Sequence, residues 1–310
     1  MAEQSLSALP RPRGFGSLHE TPGLPADFTD VFDSYFIEAQ EMRFHAVIGG
    51  NGPPLLLLAG WPQNWFAWRY LMLPLAERFT VVAADPRGVG LSAKPKTGFD
   101  THSLGKDMYN LMSALGYEHF SMVGHDIGMW TGYAMAADQP GRIDRLVLGE
   151  ALIPGLSPSP PLISDDRWLS DLLWHFNFNR ALEINELLVS GRESMYFDYQ
   201  FKTKGGHPEA IPEYARNYYA SLLKDPEALR CSFEYYRALD TTIPQNRERA
   251  AKRLSLPILA FAGALCSGDM VERELRTVAS NVQSLIIPDC GHYPAEEKPL
   301  ELLAALQAFL

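Results

Sequence analysis

Short, wholly apolar runs alternate with stretches of helical spacing along most of this chain. That rhythm predicts a mostly parallel sheet covered on both faces. Strand patterns fall at 34–38 and 42–48, closed by Gly49-Gly50-Asn51-Gly52, and then at 55–58, 80–84, 119–123 and 143–149. Helical spacing occupies 67–79, 103–115 and 128–137 between them. The rhythm stops from about 153 to 253, where helical patterns and Pro-rich joints carry no convincing strand. It resumes with strands at 257–261 and 282–287 and helices at 271–279 and 300–310. A helical block spliced into one parallel sheet reads as an inserted cap. The division expected is therefore an N-terminal arm (1–28), an α/β core (29–152 and 254–310) and a helical cap (153–253).

Composition narrows the function. With 27 Lys and Arg against 37 Asp and Glu, the formal charge is −10, which repels phosphate backbones, so nucleic acid is not expected as a partner. Three cysteines, Cys231, Cys266 and Cys290, are widely spaced and form no CxxC, which excludes a zinc ribbon or dense disulfide framework. No apolar stretch reaches the roughly 18–20 residues that span a bilayer. The first 25 residues are polar, with Pro10, Pro12, Pro22 and Pro25, and hold no signal-peptide core. These features point to a cytoplasmic protein with a loosely held arm, secretion being left open if a leader has been removed.

The strand pattern ending at Val123 runs through Gly124-His125-Asp126-Ile127-Gly128 directly into a helix. This is the G-x-nucleophile-x-G elbow, with Asp where lipases and esterases carry Ser. The bland alternative is an ordinary strand–turn–helix junction. Acylating a carboxylate would give a reactive anhydride, so Asp suits ester hydrolysis poorly. It can instead displace a group from saturated carbon and form an alkyl ester with itself, as in opening an epoxide or expelling halide. Water activated by a histidine must then attack that ester.

His292, in Asp289-Cys290-Gly291-His292-Tyr293 after the last strand, is the candidate base; a plain loop histidine is the alternative. The acid that orients it can follow either of two strands. Glu150, at the end of 143–149, is preferred to Asp269, which reads as the N-cap of the helix at 271–279. The oxyanion needs backbone donors, expected from Ile127 and, in Ala59-Gly60-Trp61-Pro62, from Trp61. Gly88-Val-Gly90-Leu-Ser-Ala93 mimics a dinucleotide fingerprint, but Lys94-Pro95-Lys96-Thr97-Gly98 cannot open the helix it requires. It reads as a structural loop, and neither cofactor nor metal is expected.

With these residues assembled, the chain resembles the α/β-hydrolase-fold epoxide hydrolases over nearly everything after the arm. Asp85-x-Arg87-Gly88-x-Gly90-x-Ser92 matches that family's loop motif. Within it the likeness is closest to the Cif-like subgroup, a bacterial set whose relatives are often secreted. Its marks are Gly124-His-Asp-Ile-Gly128, Glu150-Ala-x-Ile-Pro154, Trp174-His-Phe176, Phe233-Glu-Tyr-Tyr-Arg-Ala-Leu239 and Cys290-Gly-His292. The resemblance implies Asp126 as nucleophile, Glu150 and His292 as charge-relay pair, and His175 with Tyr236 as ring-opening pair, where most such enzymes use two tyrosines. Leu229, Phe233 and Tyr236 at i, i+4, i+7 independently place Tyr236 on an apolar helix face, with Tyr235 pointing elsewhere. Packed core residues are the alternative reading of both Tyr236 and His175. The usual His-Gly-x-Pro has become Ala59-Gly60-Trp61-Pro62, which costs the loop a side-chain tether but no backbone donor.

The partners expected are a small epoxide and water, with a homodimer left open. One rival is a haloalkane or haloacid dehalogenase using the same Asp-ester chemistry. Such enzymes carry a halide-binding Trp directly after the nucleophile, or Arg one and four positions after it, where this chain has Ile127 and Trp130. The other is a hydrolase fold that binds a ligand without turnover.

Overall fold

The computed structural model describes residues 6–159, 161 and 164–310. Eight strands form one sheet in the order β1-β2-β4-β3-β5-β6-β7-β8. After α1 (Phe28–Val31), β1 (Phe32–Ala39) and β2 (Met42–Gly49) form an antiparallel pair, and β2 joins β4 (Thr80–Asp85) antiparallel. From there β3 (Pro54–Leu58), β5 (Phe120–His125), β6 (Ile143–Gly149), β7 (Ile258–Gly263) and β8 (Val282–Ile287) run parallel with β4. Leu55–Leu58 and all six residues of β4 are buried, as strands covered on both faces require. α2 (Arg69–Ala76), α3 (Thr101–Ala114), α4 (Ile127–Asp138), α11 (Met270–Val278), α12 (Pro294–Glu297) and α13 (Pro299–Phe309) supply the covering layers.

Between β6 and β7 lie α5 (Arg167–Arg180), α6 (Ile184–Val189), α7 (Glu193–Lys204), α8 (Glu213–Leu222), α9 (Pro226–Arg237) and α10 (Leu239–Arg249), with no strand among the described residues. The parallel strands therefore come from two separated stretches of chain, as the pattern predicts.

Two expectations need correction. The N-terminal segment is docked, not loose: Leu9, Leu18 and Phe28 are buried, the Phe36 amide donates to the Pro10 carbonyl, and the Leu18 amide donates to Ser34 Oγ. Isolated apolar residues without periodicity anchor it, which a pattern of periods does not reveal. The helix expected at 67–79 begins instead as a tight turn at Trp65–Trp68, capped by Asn64 Oδ1 accepting from the Phe66 amide. The dinucleotide look-alike is a turn-rich loop, with Ser92 Oγ donating to the Asp85 carbonyl and no helix starting there.

Candidate active site

Every core residue of interest lies at the carboxyl ends of the parallel strands, where loops converge. Asp126 follows β5 with φ 53° and ψ −117°, an unfavourable conformation for a residue with a β-carbon. The turn closes so tightly that a β-carbon on Gly124 would strike the Gly128 carbonyl. One on Gly128 would strike the Leu58 carbonyl, so both elbow positions must be glycine. The strain lifts the Asp126 carboxylate out of the sheet. The Trp61 amide, just after β3, donates to its Oδ1 at 2.8 Å. Ile127 opens α4, where first-turn amides have no intrahelical acceptor, so the second expected donor also stands beside Asp126.

His292 follows β8, with Nε2 3.6 Å from Asp126 Oδ2 and Nδ1 donating to Glu150 Oε2 at 3.1 Å. Glu150 leaves β6 at φ 61°. Its Oε1 accepts from the Gly263 amide at 2.5 Å and its Oε2 from Ser267 Oγ at 3.2 Å, so the carboxylate is fixed and buried. Asp269 is exposed at the head of α11, pairs with Arg273 at 3.2 Å and makes no side-chain capping bond, contrary to the reading of it as a cap. Of the two candidate acids, Glu150 is the one hydrogen-bonded to His292.

Charge in this series follows from the contacts. Burial tends to raise the Asp126 pKa, but the hydrogen bond and charge of His292, with the Lys204 charge beyond, outweigh it and hold it well below the usual carboxylate range. Burial also works against a charged His292, yet Asp126, Cys266 and Glu150 around the ring hold its pKa well above the ordinary histidine value. His125 is buried behind the elbow, and its Nε2 donates to the His292 carbonyl at 2.6 Å. Burial and the His292 charge depress its pKa to about 4, so it stays neutral. Glu150, Cys266 and His292 offer three metal-ligand atoms within 4.8 Å of one another, but Glu150 is already committed to Gly263, Ser267 and His292.

The helices of the insertion bring His175 and Tyr236 to the same place. Trp61 stacks on the His175 ring (centroids 5.4 Å apart, planes 11° apart) and meets Tyr236 edge-on at 5.4 Å. Tyr236 is fully buried, and burial with the Asp126 charge pushes its pKa well above 10, keeping the phenol protonated. Tyr235 is also buried but leaves the site, its hydroxyl donating to the Arg87 carbonyl at 2.5 Å.

The family whose description is alpha/beta hydrolase fold matches residues 53–299. The chain belongs to this α/β-hydrolase family. Among curated proteins it is similar to a soluble epoxide hydrolase of Corynebacterium sp., 33% identical over 276 residues, 83% of this chain and 90% of that one. It is also similar to a fluoroacetate dehalogenase of Burkholderia sp., 28% identical over 298 residues, 90% of this chain and 94% of that one. Among solved structures, Cfl2 from Burkholderia cenocepacia superposes with a TM-score of 0.87 at 31% identity, over 92% of this chain and 98% of that one. The chain is thus a hydrolase of the epoxide-hydrolase-like branch, and no helix of its described residues is long and apolar enough to cross a membrane.

Reasoning from the hydrolase sequence missed Lys204, the last residue of α7. It is buried, with Nζ 3.1 Å from His175 Nε2 and 5.0 Å from the centre of the Trp61 ring. The signal was present: Phe197, Phe201 and Lys204 stand at i, i+4, i+7, the spacing that exposes Tyr236 as inward-facing.

Proposed function

We propose that this hydrolase opens epoxides to vicinal diols through an alkyl ester on Asp126, with residues 153–253 acting as the cap over the site. The observation that carries the reading is a carboxylate at a strained elbow, one oxygen held by the Trp61 amide and the other facing His292. Asp126 Oδ2 attacks an epoxide carbon and the carbon–oxygen bond of the ring breaks. The departing oxygen becomes strongly basic and requires a donor as it forms; Tyr236 supplies one, with His175 beside it. Oδ1 becomes the ester carbonyl oxygen and already accepts from the Trp61 amide, with the Ile127 amide as the second donor when charge builds in the second step.

Esterification also prepares that second step. The hydrogen bond to the Asp126 carboxylate is the first contribution opposing the burial penalty on His292, and forming the ester removes that acceptor. The imidazole then passes its proton to solvent, to be taken back when Asp126 is again a carboxylate, and takes one from the attacking water, while Glu150 steadies the imidazolium that results. The water oxygen adds to the ester carbon, the tetrahedral oxyanion collapses, and His292 returns the proton to the leaving diol oxygen.

His292→Gln removes the base while leaving the nucleophile, so the ester should accumulate. Intact-mass measurement of that variant with an epoxide panel should show a substrate adduct on Asp126. A folded variant with no adduct under saturating epoxide overturns the mechanism. The dehalogenase relative makes haloacetates and haloalkanes the necessary comparison. Ile127 and Trp130 offer no arginine grip, and the Trp130 indole N–H is already donated to the Leu152 carbonyl at 2.9 Å. Halide release faster than diol formation would shift the reading to that chemistry.

A further inference from the structure

We propose that the second donor to the opening epoxide oxygen is the Lys204 ammonium, and that His175 is the residue that positions it. This rests on the epoxide reading above and concerns the same site. The hydrogen bonds of His175 decide its tautomer. Nδ1 lies 3.0 Å from the Leu172 carbonyl, an acceptor only, so Nδ1 carries the proton. Nε2 lies 3.1 Å from Lys204 Nζ, which as an ammonium has three protons and no lone pair, so Nε2 accepts. A neutral imidazole arranged in this way has no proton left for a substrate. Burial and the adjacent Lys204 charge both oppose a second proton on the ring.

Lys204 has what His175 lacks. One of its three protons goes to His175, and among the described residues no carboxylate forms an ion pair with it. The groups facing it are His175 from α5, Trp61 after β3, Asp126 at the elbow, and Cys266 after β7, while the His292 amide donates to its own carbonyl at 2.9 Å. Burial lowers its pKa to about 8, against the opposing pull of Asp126, so it is charged at neutral pH yet gives up a proton readily. In the alkylation step Asp126 gains the carbon, the ring oxygen takes a proton from Lys204, and the amine is left neutral. Hydrolysis frees a carboxylic acid at Asp126 whose proton returns to the amine, so each turnover consumes one epoxide and one water.

The test is single-turnover esterification of Asp126, in the parent chain and in Lys204→Met, Lys204→Arg and His175→Phe. Lys204→Met should slow esterification about 100-fold and abolish its alkaline decline, which in the parent should centre near pH 8. Decay of the ester, once formed, should change less than threefold, roughly the noise of context effects. Lys204→Arg should restore part of the rate and move the decline to higher pH, because guanidinium stays protonated. His175→Phe should leave an alkaline decline of shifted midpoint, since the donor remains. Esterification of the Met variant at the parent rate, or a decline that survives in it, overturns the assignment. If the parent itself forms no ester with any epoxide, the epoxide reading fails instead, and the two failures are told apart.

Discussion

The strand-end loops and the inserted helices meet at one carboxylate but hold their residues by different means. On the core side, backbone does the holding: a positive φ at Asp126, another at Glu150, amides of Trp61 and Gly263 as donors. On the insertion side, side chains reach in from three helices and are held by one another, His175 on Trp61, Tyr236 edge-on to both, and Lys204 on His175. The outward faces differ as well. Trp168, Leu182, Leu187, Leu188 and Met195, all on the insertion, are exposed apolar residues. The proposed nucleophile, base and acid are thus fixed by peptide geometry that tolerates little variation, while the groups proposed to meet the rest of the substrate can be exchanged one side chain at a time.

The largest effect should come from the core side. Glu150→Gln keeps size and the Gly263 contact but cannot stabilise an imidazolium, so turnover should fall about 10⁴-fold. Asp269→Asn, altering an exposed surface pair, should leave it within about twofold. Steady-state kinetics of both variants check this, and the reverse ranking would move the acid to Asp269 and undo the assignment of Glu150.

The next prediction compares neighbouring tyrosines on α9. Tyr236→Phe keeps the packing and deletes the donor, so esterification of Asp126 should slow by roughly 10²–10⁴. Tyr235→Phe leaves the buried Arg87 carbonyl without its partner and should cost about 1–3 kcal/mol of stability, with the chemical step little changed. Denaturant unfolding and single-turnover kinetics separate the two. A Tyr236→Phe enzyme that alkylates at the parent rate would remove Tyr236 from the chemistry and leave Lys204 as the insertion's donor.

The same contrast governs what the sequence disclosed. The elbow is legible because its requirement is local: two glycines flank a strained residue between a strand and a helix. His292 and Glu150 are legible because strand ends are, and the sheet carries them to one edge. The insertion has no such local grammar. Tyr236 emerged through helical spacing with Leu229 and Phe233, whereas Lys204 had the same spacing with Phe197 and Phe201 but reads as a helix-terminal cation, favourable at that end for its own sake. The role proposed for it depends on α7 ending beside α5, a tertiary fact. The docked arm was illegible for a related reason, since Leu9, Leu18 and Phe28 are buried singly and share no period.

The smallest effect follows from the cost of placing a cation in the insertion. Lys204 has a pKa of about 8 when folded, against 10.5 for the free side chain. The unfolded chain therefore binds this proton more tightly, and the folded state carries a penalty of about 3 kcal/mol below pH 8. Between pH 8 and 10.5 the unfolded state alone stays protonated, so the parent should gain stability as pH rises through that window. Lys204→Met fills the space without the charge. It leaves His175 Nε2 unpaired at about 1 kcal/mol, so the net gain at pH 7 should be about 2 kcal/mol, vanishing by about pH 10. Urea unfolding at pH 7 and pH 10 measures both values. A variant less stable than the parent at pH 7 would mean that Lys204 holds the insertion together, and that the helices keep it for structure. A variant more stable but slower to esterify would show the opposite: the insertion retains an unfavourable buried cation because the opening ring needs its proton.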